Sequence, residues 1–148
     1  MAATKVAKRQ IGEGSSGGKL TYTETDVWAG TTAPSGAATK EYAWEKLSPN
    51  SLTLSIAITY AVAGTANTSV RLPIPASLPQ PSTFGGLGGG AGHHVWPGYG
   101  WIDSGTNGGV PTCRVTVVRN LANTGWEVLI TAASLSGQYA QATVTYYF

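Results

Sequence analysis

From Ser51 to Val62, apolar side chains recur at every second position. Leu52, Leu54, Ile56, Ile58, Tyr60 and Val62 alternate with Thr53, Ser55, Ala57, Thr59 and Ala61. Successive side chains of an extended chain point to opposite faces, whereas a helix needs apolar groups every three to four residues. The stretch therefore predicts a β-strand with one face buried and one face of small or hydroxylated groups. Strands of about five or six residues are typical, so one this long needs long neighbours to pair with.

The same two-residue period recurs along the chain. Leu20 to Trp28 is predicted as a strand, with Tyr22, Glu24 and Asp26 on one face and Thr21, Thr23 and Thr25 on the other. Tyr42 to Leu47 places Tyr42, Trp44 and Lys46 together. Val70, Leu72 and Ile74 mark a strand closed by Pro73 and Pro75. From Thr112 to Arg119, Cys113, Val115 and Val117 alternate with Arg114, Thr116 and Val118. Trp126, Val128, Ile130 and Ala132 form another apolar face, and Ala140, Ala142, Val144, Tyr146 and Phe148 form the last. Turn residues separate these runs at Ser48-Pro49-Asn50, at residues 63–67 and at Ala122-Asn123-Thr124-Gly125. About seven to nine strands without a helical period predict an all-β domain, specifically an antiparallel β-sandwich of jelly-roll type.

The expected organisation is an N-terminal anchoring arm and linker at residues 1–19 and a sandwich domain at residues 20–148. Gly12 to Gly18 has the composition of a flexible linker. Met1 to Ile11 could form a short helix, with Lys8 and Arg9 turned away from Val6 and Gln10. Charge divides at the same place. Lys5, Lys8, Arg9 and Lys19 face a single acid, Glu13, in the arm, and the remaining five cations and six acids nearly cancel. Such a domain is not expected to bind nucleic acid. The basic doublet Lys8-Arg9, with Lys5, is expected to anchor the arm to acidic groups on a neighbouring protein. Only 11% of residues are charged, against about 25% in an average soluble domain, which suits surfaces covered by other chains. A lone Cys113 excludes an internal disulfide framework. No run of about 18 apolar residues predicts membrane insertion. The basic N-terminus lacks the apolar stretch of a secretion signal, so assembly in a cytoplasm is expected.

Residues 75–111 break the pattern and are expected to be a long loop. Gly85 to Gly92 is almost free of side chains, and it leads into His93-His94-Val95-Trp96-Pro97-Gly98-Tyr99-Gly100-Trp101. Long loops in compact domains are usually functional or interfacial. Trp96, Tyr99 and Trp101, with His93 and His94, are therefore the candidate ligand- or partner-surface-binding residues. The three rings either dock a partner or stack on sugars, or else cap one end of the core. Trp44 and Trp126 fall in regular strands and are assigned to the core.

Chemistry leaves little trace. The sequence has no G-x-S-x-G elbow, no P-loop and no H-E-x-x-H. Glu24 and Asp26 could act as a carboxylate pair in glycoside hydrolysis, but a solvated edge or an ion-pair partner for another chain is the reading adopted. His93, His94 and Asp103 could ligate a metal, in particular with one His from each of three chains. Adjacent histidines on an extended chain diverge, so no metal site and no cofactor are expected. Cys113 is read as a small buried hydrophobe. The chain is accordingly not expected to be an enzyme.

Tyr42-Ala43-Trp44-Glu45-Lys46-Leu47, then Leu52 to Ile58, then Ser69-Val70-Arg71-Leu72-Pro73-Ile74-Pro75 resembles the β-sandwich heads of phage tail-fibre and virion-surface proteins. Trp126 to Ala132 and Thr143 to Phe148 extend the likeness over residues 40–148. The resemblance implies a homotrimeric virion component that decorates the particle or adheres to the host surface, host glycan included. With a 19-residue arm where those heads follow a long shaft, it points to a capsid decoration protein, head fibre or short spike on the virion surface.

Overall fold

The computed structural model describes residues 17–82, 94–103, 113–120, 122, 124–135 and 137–148. Nine strands occur among them: β1 (Gly17–Thr21), β2 (Val27–Ala29), β3 (Ser35–Ser48), β4 (Ser51–Val62), β5 (Asn67–Pro73), β6 (His94–Asp103), β7 (Arg114–Arg119), β8 (Trp126–Leu135) and β9 (Tyr139–Tyr147). The described residues contain no helix. All strand pairs are antiparallel, in the order β1-β3-β4-β9-β6-β7-β8-β5-β2. The protein is all-β, as the alternation predicts. Its strands form one continuous sheet curled into a half-barrel, where two stacked sheets were expected.

Chain length alone requires the curl. β1 and β2 are neighbours in sequence but occupy opposite edges of the sheet. Nine strands about 4.8 Å apart would put flat edges about 38 Å from each other. The six Cα steps from Thr21 to Val27 reach at most about 22 Å. The connecting segment, Tyr22 to Asp26, therefore crosses from edge to edge of a bent sheet. The long strand predicted over Leu20–Trp28 is corrected accordingly: it is two short edge strands and a crossing between them.

Tyr22 anchors that crossing. It is 2% exposed, its N–H donates to Lys40 O at 3.0 Å, and its hydroxyl donates to Pro73 O at 2.9 Å. Its ring meets Tyr42 edge-to-face, with centroids 6.4 Å apart. One side chain so ties β3 to the end of β5, two strands from opposite limbs of the sheet.

The core lies on the concave face. Leu52, Leu54, Ile56 and Ile58 of β4 pack with Ala140, Ala142, Val144 and Tyr146 of β9. From the other limb come Val115 and Val117 of β7, Val128 and Ile130 of β8, and Val70 and Leu72 of β5. These are the alternating positions of the sequence. Trp126 is buried, and Trp44 packs half-buried against the same cluster. Lys46, on the face shared with Tyr42 and Trp44, lies over the Phe148 ring at 5.5 Å.

β6 is the main departure from expectation. The run assigned to a loop is a strand between β9 and β7. Its first half pairs with β7, from His94↔Val118 to Gly98↔Val115, with a bulge between His94 and Trp96. Its second half pairs with β9, from Gly98↔Val144 to Asp103↔Tyr139. Pro97 falls in the half paired on one side only, where a missing N–H is tolerated. A Cβ on Gly100 would stand 2.1 Å from Gln141 O, and one on Gly98 would stand 2.4 Å from Val144 Cγ1. Glycine at both places lets β6 press against β9 and joins the two limbs into one sheet.

β1 takes in Gly17, Gly18 and Lys19 from the stretch assigned to the arm. Lys5, Lys8 and Arg9 lie outside the described residues, as do the Gly85–Gly92 run and His93.

Candidate functional site

The convex face of the β1-β3-β4-β9-β6 limb is built from the residues that alternate with the core. Three rows run across it. One passes through Thr21, Glu41, Ala57, Gln141 and Trp101; the next passes through Lys19, Ala43, Ser55, Thr143 and Tyr99; the third carries Glu45, Thr53 and Thr145. Hydroxyls pair directly across β4 and β9: Thr53 with Thr145 and Ser55 with Thr143, each at 2.8 Å. Such cross-strand pairs hold the register and leave a low, even surface.

Aromatic groups rise from this surface at β6 and β9. Tyr99 is 67% exposed, and Trp101 is half-buried with its ring 6.1 Å from that of Tyr139, at 35°. Tyr99 and Trp101 share the convex face, so the structure brings these two predicted residues together. Trp96 lies elsewhere. It packs against the core cluster and against the Tyr147 ring at 5.3 Å. The expected trio is thus split by strand parity and by the bulge that precedes Trp96. His94 opens β6 by its backbone pairing with Val118, and Asp103 ends it opposite Tyr139.

Beside the aromatic pair, a groove of about 240 Å³ runs over β1, β3, β4 and β9. Ala43 and Ala57 line it together with Lys19, Glu41, Tyr139 and Gln141. Lys19 Nζ meets Glu41 Oε2 at 2.7 Å, and both side chains stay substantially exposed. The Tyr139 hydroxyl donates to Gln141 Oε1 at 2.5 Å. Burial, with the Glu41 charge second, pushes the Tyr139 hydroxyl above the ordinary tyrosine value, so it stays protonated at neutral pH. A second depression, bordered by Lys19, Leu20, Thr21 and Thr39, continues beyond the ion pair.

The carboxylates at Glu24 and Asp26 do not form a working pair. Asp26 has a side chain only 1% exposed, and Lys40 Nζ is its ion-pair partner. The Tyr60 hydroxyl donates to its two oxygens at 3.0 and 2.9 Å, and Trp28 Nε1 donates to Oδ2 at 2.6 Å. Burial alone would raise this carboxyl, but the bonds from Lys40, Tyr60 and Trp28 outweigh it and hold it below the ordinary aspartate value. A carboxylate held this way is a poor proton acceptor. It clasps the crossing segment to β3, β4 and β2. Glu24 lies in the crossing segment and not in a strand.

Cys113 is half-buried against the core, and burial raises its thiol above the ordinary cysteine value. Among the described residues, no three His, Cys, Asp or Glu side chains gather as a metal site. No helix among them is long and apolar enough to cross a membrane.

Sequence reasoning missed the groove. Lys19, Glu41, Ala57, Tyr139 and Gln141 come from four strands, and only the register unites them. A signal for β6 did exist in Gly98-Tyr99-Gly100-Trp101-Ile102, where large outward rings alternate with small or apolar inward positions. Comparison with protein-family models, with curated proteins and with solved structures finds no match for this chain.

Proposed function

We propose that the chain is a non-enzymatic bacteriophage virion structural protein, a capsid decoration protein, head fibre or short tail spike. In this reading the arm that precedes β1, residues 1–16, anchors it to other virion proteins and the β domain is exposed at the particle surface as a homotrimer. The observation that carries it is the convex face. It spans five strands with small hydroxyl side chains, a mutually paired Lys19 and Glu41, and an exposed Tyr99 beside Trp101, which suits contact. The pattern likeness of residues 40–148 to virion-surface heads supports the more specific assignment. We read the fold as an open relative of the jelly roll, because side chains of the β3-β4-β9 limb and the β7-β8-β5 limb share one core.

The test is sedimentation with virions of a phage that encodes the chain. The full chain is expected to travel with the particles. A chain lacking residues 2–16, which keeps β1, is expected to fold by circular dichroism and remain unattached. Purified virions without the chain overturn the reading.

A second reading, carbohydrate binding, is favoured by Tyr99 and Trp101 standing together on the convex face. It is compatible with the first where a particle adheres to host glycan.

A further inference from the structure

We infer that the groove over β1, β3, β4 and β9 is a subsite for one uncharged sugar ring of a host-surface polysaccharide. This rests on the carbohydrate reading above and gives it a location, which is not the Trp96–Trp101 run by itself.

The groove has the parts that such a ligand needs. A sugar ring offers C–H groups to stack on an aromatic face and hydroxyls that both donate and accept. Tyr139 forms one wall, backed by Trp101 at 6.1 Å. Glu41 and Lys19 face it from β3 and β1, held to each other at 2.7 Å. Glu41 supplies an acceptor and Lys19 a donor. The Tyr139 hydroxyl engages Gln141 Oε1, which leaves the Gln141 amide N–H groups as donors. Ala57 lies between Glu41 and Gln141 in the register, and its methyl group leaves the space open.

Size and charge narrow the occupant. About 240 Å³ falls below the lower bound of about 300 Å³ for drug-sized ligands, which suits a single ring. One cation and one acid, already paired, give the groove no net charge to attract an acidic sugar. The adjoining depression past Lys19 and Glu41 is where the next ring of a chain would lie. A single subsite of this kind binds weakly, with Kd on the order of 1 mM. Repetition across a trimer would multiply that.

The full chain, labelled with ¹⁵N, is titrated with maltohexaose, cellohexaose and mannohexaose and probed on an array of bacterial surface glycans. Amide shifts centred on Glu41, Ala57, Tyr139 and Gln141 are expected with at least one neutral glycan. Ala57→Arg fills the groove and is expected to weaken that binding at least tenfold. Glu41→Gln, a substitution at an exposed position that keeps the shape, is expected to weaken it severalfold, and it serves if Ala57→Arg does not fold. No binding to any glycan, binding to acidic glycans only, or unchanged affinity in the folded variants overturns the inference. Sugar binding lost while the chain still travels with virions removes this inference alone. Shifts from a sugar with the chain missing from virions remove the virion reading alone.

Discussion

Asp26→Asn isolates the clasp on the crossing segment. The change keeps the shape of the side chain and removes its charge. In the protein Asp26 accepts from the Tyr60 hydroxyl and Trp28 Nε1 and pairs with Lys40, at a side-chain exposure of 1%. Hydrogen bonds to a charged group contribute about 1.5–3 kcal/mol each, and breaking a fully buried pair costs about 3–5 kcal/mol. Lys40 is 24% exposed and regains water when its partner is neutral, so the cost falls below that of a fully buried pair. The expected loss is about 2–3 kcal/mol. At about 2–4 °C per kcal/mol for a chain of this size, Tm falls by about 4–12 °C. Urea unfolding followed by tryptophan fluorescence, with Lys19→Gln as a control, checks the figure. The exposed Lys19–Glu41 pair should contribute less than about 1 kcal/mol.

Acid adds a second readout. The folded-state carboxyl of Asp26 lies below the ordinary value, so its contribution is full above the unfolded value, about 3.9. That contribution is lost as pH falls through the folded value. Below about pH 4 the native chain should therefore lose stability more steeply than Asp26→Asn. A loss under about 1 kcal/mol at pH 7, or identical acid profiles, would refute the claim that this cluster holds the crossing segment.

Three further outcomes follow from packing. Gly100→Ala drives a methyl group into the β9 backbone at Gln141 and Ala142 and should cost at least about 2 kcal/mol in equilibrium unfolding. Leu54→Ala, at a fully buried position of β4, should cost about 2–5 kcal/mol, while Thr53→Ala on the convex face should cost about 1 kcal/mol or less. Cys113 should react with a thiol reagent more slowly at pH 8 than an unfolded cysteine does, and urea should abolish the difference.

The alternation of Ser51 to Val62 was legible to the residue, because a buried face on a paired strand leaves a two-residue period that little else produces. The same period placed Val115, Val117, Val128, Ile130, Ala142, Val144 and Tyr146 in the core, although in β7 and β8 the alternate residues Thr116, Val118, Glu127 and Leu129 are buried too. β6 reads as a loop in the sequence because two of its inward positions are Gly98 and Gly100. Glycine carries no hydropathy signal, and dense Gly and Pro ordinarily mark loops. Leu20 to Trp28 misled for the opposite reason. Its alternation is regular, yet Tyr22 and Asp26 bond to β3, β4 and β5, and the constraint on the chain is distance and not pleat. The groove was beyond reach because Lys19, Glu41 and Gln141 meet only through pairings between residues far apart in sequence. Tyr99 and Trp101 were singled out by their chemistry and share a face by strand parity, and Trp96 was grouped with them by nearness in sequence that the sheet does not keep.

The place of β9 between β4 and β6 bears on how the chain reaches this state. Only three of the eight junctions in the sheet, β3–β4, β6–β7 and β7–β8, join consecutive strands. Closure of the other five must wait for distant segments, so folding is expected to be slow for the size. Until the last strand leaves the ribosome, the early hairpin and the later meander each carry a bare hydrogen-bonding margin able to recruit other copies. Synthesis that stops near residue 138 should yield aggregates and no partly working domain.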